Sequence, residues 1–444
     1  MSAPVQAGPA FNASAYPNIQ AAIDAAAAVA TAQSPAEVLV PAGTHRTGPL
    51  TLASHLIVTL DQGAVVLFDD DSSLYEPVWT RWEGVECYAM RPLFYAAGAS
   101  NITVRGQGIL DGNGRRWWDR FRVNESSGQN EPIHADELRL AALNPDYRSR
   151  PGGGARPHTQ YLRPPLVQFY QCSNVQLEGI TLRNSPFWTL HTVYSQGLTI
   201  RGVTIENPGD AINTDAIDID SCQDVLIEGC VLDVGDDGVT LKSGSGPDGV
   251  RVGIPTRNVT VRDCTIYASH GGIAIGSETA GGIENVLVDR CRFIGTQRGI
   301  RLKTRRTRGG TMKNLTLRNL QMDGVWCPIV IGMYFQPGID PDHPDYSQVM
   351  SPQAQPVTDT TPRIEGVSIQ NVTASNVRAT AAFIVGLPEA PITDVSIQGF
   401  SYSLAAEETL LDTALTEPTG GLFHDEHRGI KVINASASFS ENTH

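Results

Sequence analysis

The sequence predicts an all-β protein, a single right-handed parallel β-helix over residues 1–444 with a helix capping its N-terminal end. Two periodicities and the composition carry that prediction. The first is a motif of apolar, any, apolar, two residues, apolar, any, apolar. It appears as Val175-Leu177-Ile180-Leu182, Leu198-Ile200-Val203-Ile205, Val225-Ile227-Cys230-Leu232, Val259-Val261-Cys264-Ile266 and Val286-Val288-Cys291-Phe293. Weaker copies start at Leu315, Val367 and Val395, and successive starts lie 23, 27, 34, 27, 29, 52 and 28 residues apart. Each copy reads as a short strand, a bend and a second strand with alternate side chains buried. The second periodicity follows within the same repeats, as Val239/Leu241, Ile273/Ile275, Ile300/Leu302 and Ile329/Ile331. Repeats of this length with in-phase strand registers stack as coils, each adding a rung to parallel sheets. The composition, with 43 Gly and 28 Pro in 444 residues, suits a turn-rich β chain.

Along the chain, residues from about 1 to 60 form the cap and the first coils. Asn18 to Thr31 is Ala-rich, follows Pro17 and predicts a helix that covers strand edges at the open end. Val38 to Val40, then Leu50, Leu52, Leu56, Val58 and Leu60, begin the coils. Two segments break the repeat and are expected as long insertions beside a cleft. One spans about 111–165, with Trp117-Trp118 and Pro151-Gly152-Gly153-Gly154; the other spans about 333–362 and is rich in Pro and Asp. Cys230, Cys264 and Cys291 each sit five residues after a repeat start, so they read as an interior ladder of small apolar groups. No CxxC spacing suggests a metal site among the seven cysteines. His424 and His427 read as surface residues.

A net charge of -14 argues against nucleic acid as a partner, and no apolar stretch is long enough for a membrane span. The N-terminus carries no signal-peptide pattern, which suits a cytoplasmic chain, or a secreted or periplasmic one whose signal was trimmed.

The repeat register decides which polar residues share a face. Asp236 and Asp237 lie 11 and 12 residues after their repeat start, and His270 also lies 11 after its own. Aligning Ile217/Ile219 with Val239/Leu241 puts Asp215 in the column of Asp237, while Arg301 and Lys303 alternate with the buried Ile300 and Leu302. Rungs ~4.8 Å apart then bring three carboxylates together with an imidazole and two cations. Aspartate suits bends, so a lone Asp-Asp pair says little. Four consecutive coils in register say more: one carboxylic group can protonate a leaving oxygen while another activates water, the chemistry of glycoside hydrolysis. Crowded carboxylates also retain a proton above the usual pH. Arg301, Lys303, Arg305, Arg306 and Arg308 place five cations in eight residues, which suits an anionic substrate better than a solvated basic loop.

These residues resemble the polygalacturonases of glycoside hydrolase family 28. The four family signatures appear in order as Asn213-Thr214-Asp215, Gly235-Asp236-Asp237, Ser269-His270-Gly271 and Arg301-Leu302-Lys303. Lys242-Ser243-Gly244 and Ile275-Gly276-Ser277-Glu278 resemble the bacterial exo-acting branch. Ala216 and Ser269 stand where the family usually has glycine. The resemblance implies a pectin-degrading hydrolase that cleaves α-1,4-linked galacturonic acid with inversion, without metal or cofactor. It implies Asp236 as general acid, Asp215 and Asp237 on the water, and His270 in support of the protonation state. Asn213, Arg301 and Lys303 would bind substrate. An inverting pair is expected ~6.5–9.5 Å apart. The rivals are a rhamnogalacturonan-type hydrolase, a calcium-dependent pectate lyase and a non-catalytic carbohydrate-binding β-helix.

Overall fold

The computed structural model describes residues 8–128, 131–148 and 159–440. Each coil supplies three strands, for example Gln223–Glu228, Val231–Asp233 and Val239–Lys242. The first two join a 21-stranded sheet that turns a corner, and the third joins an 11-stranded sheet. Pairing between coils is parallel, and its register runs through every predicted repeat start: Val175, Leu198, Val225, Val259, Val286, Leu315, Val367 and Val395. A right-handed parallel β-helix results, the hand expected of crossovers between parallel strands.

The bends explain why the motif recurs. The residue before each start must enter the left-handed region, which Asn, Asp and Gly tolerate. Asn174, Asp224, Asn258, Asn285 and Asn314 all do so, with φ between 54° and 59°. Their amides also link the coils: Asn258 donates to Asp224 at 2.9 Å and Asn285 to Asn258 at 3.2 Å. Inside, Cys230, Cys264 and Cys291 are buried in one column between Val203 and Leu320, and all seven cysteines are free and buried. Each buried Val, Ile or Leu contributes about 1.5–3 kcal/mol, so every rung stabilises its neighbours.

The N-terminal helix spans Ile19–Ala27, with the Asn18 side chain accepting from the Ala21 amide at 2.9 Å. It buries Ile19, Ala22, Ile23 and Ala26 against the first coil. It stops short of Thr31, because Thr31 and Ser34 close a turn through reciprocal backbone hydrogen bonds. Among the described residues no helix is long and apolar enough to cross a membrane.

The two insertions lie differently against the cleft. The described part of 111–165 folds into helices Arg115–Ser126 and Ala135–Leu143 and does not line the cleft; Pro151 to Gly154 lie outside the described residues. The reason is aromatic packing. Trp117 turns inward between Tyr75 and Tyr161, and Trp118 donates to the Ser185 carbonyl. The 333–362 segment does reach the cleft, through Phe335, Pro337 and Gly338. A second wall is a hairpin absent from the repeat pattern, Pro77–Trp82 paired with Val85–Met90. Arg81 clamps it to the coils, donating to Asp220 and Ser221 at 2.7 Å each.

Candidate active site

The cleft of about 470 Å³ lies along the 11-stranded sheet, between the hairpin on one side and residues 335–338 and 414–418 on the other. Its floor follows from the register. Ile217 pairs with Val239, Val239 with Ile273 and Ile273 with Ile300. Asp215 and Asp237 therefore stack on neighbouring rungs at the strand entrances, with the Ala216 amide donating to the Asp237 carbonyl. The His270 amide donates to the Asp236 carbonyl at 2.9 Å, which stacks those two residues as well. One carboxylate oxygen from each of Asp215, Asp236 and Asp237 lies within 4.8 Å of the other two.

The two cations converge on Asp237. Lys303 donates to its Oδ2, and the Arg301 Nη1 donates to its Oδ1 at 3.2 Å. Gly271 makes this meeting possible, since a Cβ there would stand 2.8 Å from Asp237 Oδ1 and 3.2 Å from Arg301 Cδ. His270 Nδ1 lies 3.2 Å from Asp236 Oδ1. Asn213 lines the cleft in the left-handed region, at φ 56°, and accepts from Arg163 Nη2 at 3.0 Å. The structure thus brings all seven residues of the predicted site to one cleft.

Their surroundings divide the protons. Burial would raise Asp237, but Lys303 and Arg301 outweigh it and hold the carboxyl well below the usual range. Burial also opposes the charge on Asp236, yet His270 beside it outweighs burial and lowers it. Asp215 goes the other way. Burial, together with the charges of Asp236 and Asp218, pushes it well above its ordinary value. Its nearest cation, Lys242, is 3.9 Å away and is shared with Asp218 at 3.6 Å and Glu278 at 3.2 Å. Of the three clustered acids, Asp215 is the one whose surroundings favour keeping the proton.

Two expectations need correction. The basic run is neither a solvated loop nor a common reader of anions. Arg305 donates to the carbonyls of Phe335, Pro337 and Gly338, while Arg306 pairs with Glu389 and binds the carbonyls of Val349, Ser351 and Gln353. Both tie the insertion to the coils. The acids themselves are enclosed: Asp215 and Asp237 are 3% and 0% exposed. Second, carboxylate oxygens within 4.8 Å of one another stand closer than the ~6.5–9.5 Å expected of an inverting pair, because adjacent rungs point their side chains the same way.

Sequence reasoning missed several residues. Arg298 follows from the register, opposite Gly271. Lys242 and Glu278 belong to quoted motifs but carried no assigned role, and Lys242 Nζ sits 4.2 Å from the Trp188 ring centroid. Phe335 faces Lys303 at 5.1 Å and Arg301 at 5.5 Å. Glu417, bonded to Arg301, lies outside every repeat and had no signal.

Comparison with known proteins agrees with this geometry. The description "Glycosyl hydrolases family 28" matches residues 151–409. A "Probable polygalacturonase" of Vitis vinifera is 31% identical over 393 residues, covering 87% of this chain and 70% of that one. An "Endo-polygalacturonase" of Pectobacterium carotovorum subsp. carotovorum is 26% identical and covers 75% and 77%. Among solved structures, a hyperthermoactive exopolygalacturonase from Thermotoga maritima superposes with a TM-score of 0.76 at 28% identity, over 98% of this chain and 91% of that one. With a family match over more than half its length and the acid set in register on a β-helix, this chain belongs to the glycosyl hydrolases family 28.

Proposed function

We propose that the protein hydrolyses α-1,4 linkages between galacturonic acid units, releasing monogalacturonate from the end of polygalacturonate or oligogalacturonides. The observation that carries this reading is a trio of carboxylates within 4.8 Å, set against Arg301 and Lys303 in one walled cleft. Asp236 is the general acid, being the most open of the three, with a side chain 18% exposed. Asp215 and Asp237 bracket the attacking water. Two carboxylate oxygens up to about 5 Å apart can each accept one hydrogen from a single water at ~2.8 Å, leaving a lone pair for the anomeric carbon. Close spacing is therefore compatible with inversion.

The proton must pass from Asp215 to Asp236 when the sugar covers the site, and coupled carboxyl groups this near exchange one readily. His270, 3.2 Å from Asp236, supports that transfer. Among the described residues Arg301 donates through three of its five N–H groups and Lys303 through one of three, so both keep donors for a uronate carboxylate. Asn213 holds a hydroxyl edge of the sugar. No step calls on a metal or cofactor.

End-on action is supported by the hairpin. Its tip is fixed by the Ser245 amide donating to the Gly84 carbonyl at 2.9 Å, and Glu83 lines the cleft beside it. The 28%-identical Thermotoga maritima neighbour is itself titled an exopolygalacturonase. A product time course on polygalacturonate tests the reading. Monogalacturonate should appear from the first minutes while viscosity falls slowly. An early ladder of mid-length oligomers would refute end-on action, and products with an unsaturated bond would refute hydrolysis.

A further inference from the structure

The guanidinium expected to read the substrate carboxylate already holds a carboxylate of the protein. Glu417 accepts from Arg301 Nε at 3.1–3.3 Å and from Nη2 at 3.0 Å, which occupies one bidentate edge of the fork. Glu417 also sits 3.3 Å from Arg298 Nε, so one carboxylate balances two adjacent guanidiniums. It is 1% exposed, and Ala414, Leu415 and Pro418 beside it line the cleft while it does not. It cannot touch a sugar, yet it adds a negative charge directly behind the cation that does.

We propose that Glu417 is a specificity-determining residue: a built-in counter-charge that limits how tightly Arg301 grips a uronate carboxylate. This rests on the galacturonan reading above and deepens it. Without that counter-charge, Arg298, Arg301 and Lys303 would confront each anionic product with Asp237 alone left among their paired carboxylates. Release of galacturonate would slow. With it, the cleft keeps one free edge of Arg301 and a moderate field, enough to orient the carboxylate without trapping it.

The carboxylate of Glu417 is separable from the fold of its segment. Arg298 binds the carbonyls of Thr416 and Leu415 at 2.7 Å each, Thr416 donates to Thr380 at 2.9 Å, and the Gln336 amide donates to the Pro418 carbonyl at 2.9 Å. None of these contacts uses the Glu417 side chain.

The test compares wild type with Glu417→Gln and Glu417→Leu, measuring KM for oligogalacturonides and inhibition by galacturonate and by its methyl ester. Removing one charge ~6 Å from a bound carboxylate should lower KM and the galacturonate inhibition constant about tenfold in both variants. Inhibition by the neutral methyl ester should stay within about twofold, and Glu417→Asp, which keeps the charge, should stay near wild type. Unchanged or weaker galacturonate inhibition, equal shifts for acid and ester, or failure of both neutral variants to fold would each overturn the proposal. Wild type inert on galacturonan but still binding galacturonate would instead overturn the functional reading alone.

Discussion

The same coils build two polar ladders with opposite properties. On the outer bend of the 21-stranded sheet, Asp224, Asn258, Asn285 and Asn314 stack one per rung, open to solvent and bonded to each other. On the 11-stranded sheet, Asp215 and Asp237 also stack on successive rungs, but the hairpin and the 335–338 and 414–418 segments bury them. The outer ladder satisfies its polar groups locally and has no chemistry. The inner one has more carboxylates than close cations, so burial separates their proton affinities. What distinguishes the two is coverage, not residue type.

Substitutions can break that contrast, and the largest effects should come from the inner ladder. Asp215→Asn, Asp236→Asn and Asp237→Asn should each lower kcat by about 10²–10⁴-fold, whereas Asp224→Asn on the outer ladder should leave steady-state rates unchanged. Asp237→Asn should also cost roughly 3–5 kcal/mol in denaturant melts, because it strands Lys303 as a buried cation and leaves Arg301 balanced by Glu417 alone; Asp236→Asn should not. Near-normal activity in Asp236→Asn would sink its assignment as acid.

Arg301→Lys should reduce kcat/KM on oligogalacturonides more than tenfold, since an ammonium cannot serve Glu417, Asp237 and substrate through one planar fork. A smaller loss would mean that Lys303 alone reads the carboxylate.

Asp218 offers a test through stability and pH. It is fully buried, neither carboxylate oxygen has a hydrogen-bond partner among the described residues, and burial raises its pKa well above the ordinary value. The unfolded chain ionises this group first, so its contribution to stability is lost as pH rises above the unfolded value near 3.8. Asp218→Asn should therefore raise Tm at pH 7 by ~1–3 °C, a gain that fades below about pH 4. A constant gain at all pH values would show that hydrogen bonding, not ionisation, is responsible. The smallest effect belongs to the outer ladder. Asn285→Ala should cost only about 1–2 kcal/mol in a denaturant melt, from its left-handed φ of 57° and two lost exposed amide hydrogen bonds, with kcat untouched.

Much of this contrast was legible in the sequence, for a definite reason. Side chains in a strand alternate with period 2, so the burial pattern of Val225, Ile227, Cys230 and Leu232 appears directly as apolar spacing. Aligning those registers also aligned Asp215 with Asp237 and Asp236 with His270, because the site sits on the repeat itself. What covers the site does not repeat. Arg81 reaches Asp220 across 139 residues, and Glu417 reaches Arg301 across 116, at separations that carry no periodicity. Arg305 and Arg306 misled for the same reason: their charge was visible, but their carbonyl partners were not. Trp117-Trp118 belonged to an insertion expected beside the cleft, and nothing in the sequence revealed that they would pack inward against Tyr75 and Tyr161.

The most direct test of the account is the titration of the aspartate carboxyls, followed by carbon NMR of protein labelled at the carboxyl carbon and assigned with the three Asn variants. The account predicts that Asp215 stays protonated well above the ordinary carboxyl range while Asp237 stays ionised well below it. Three carboxyls titrating together near the ordinary value of 3.8 would contradict it, because the cleft would then hold no divided proton to deliver.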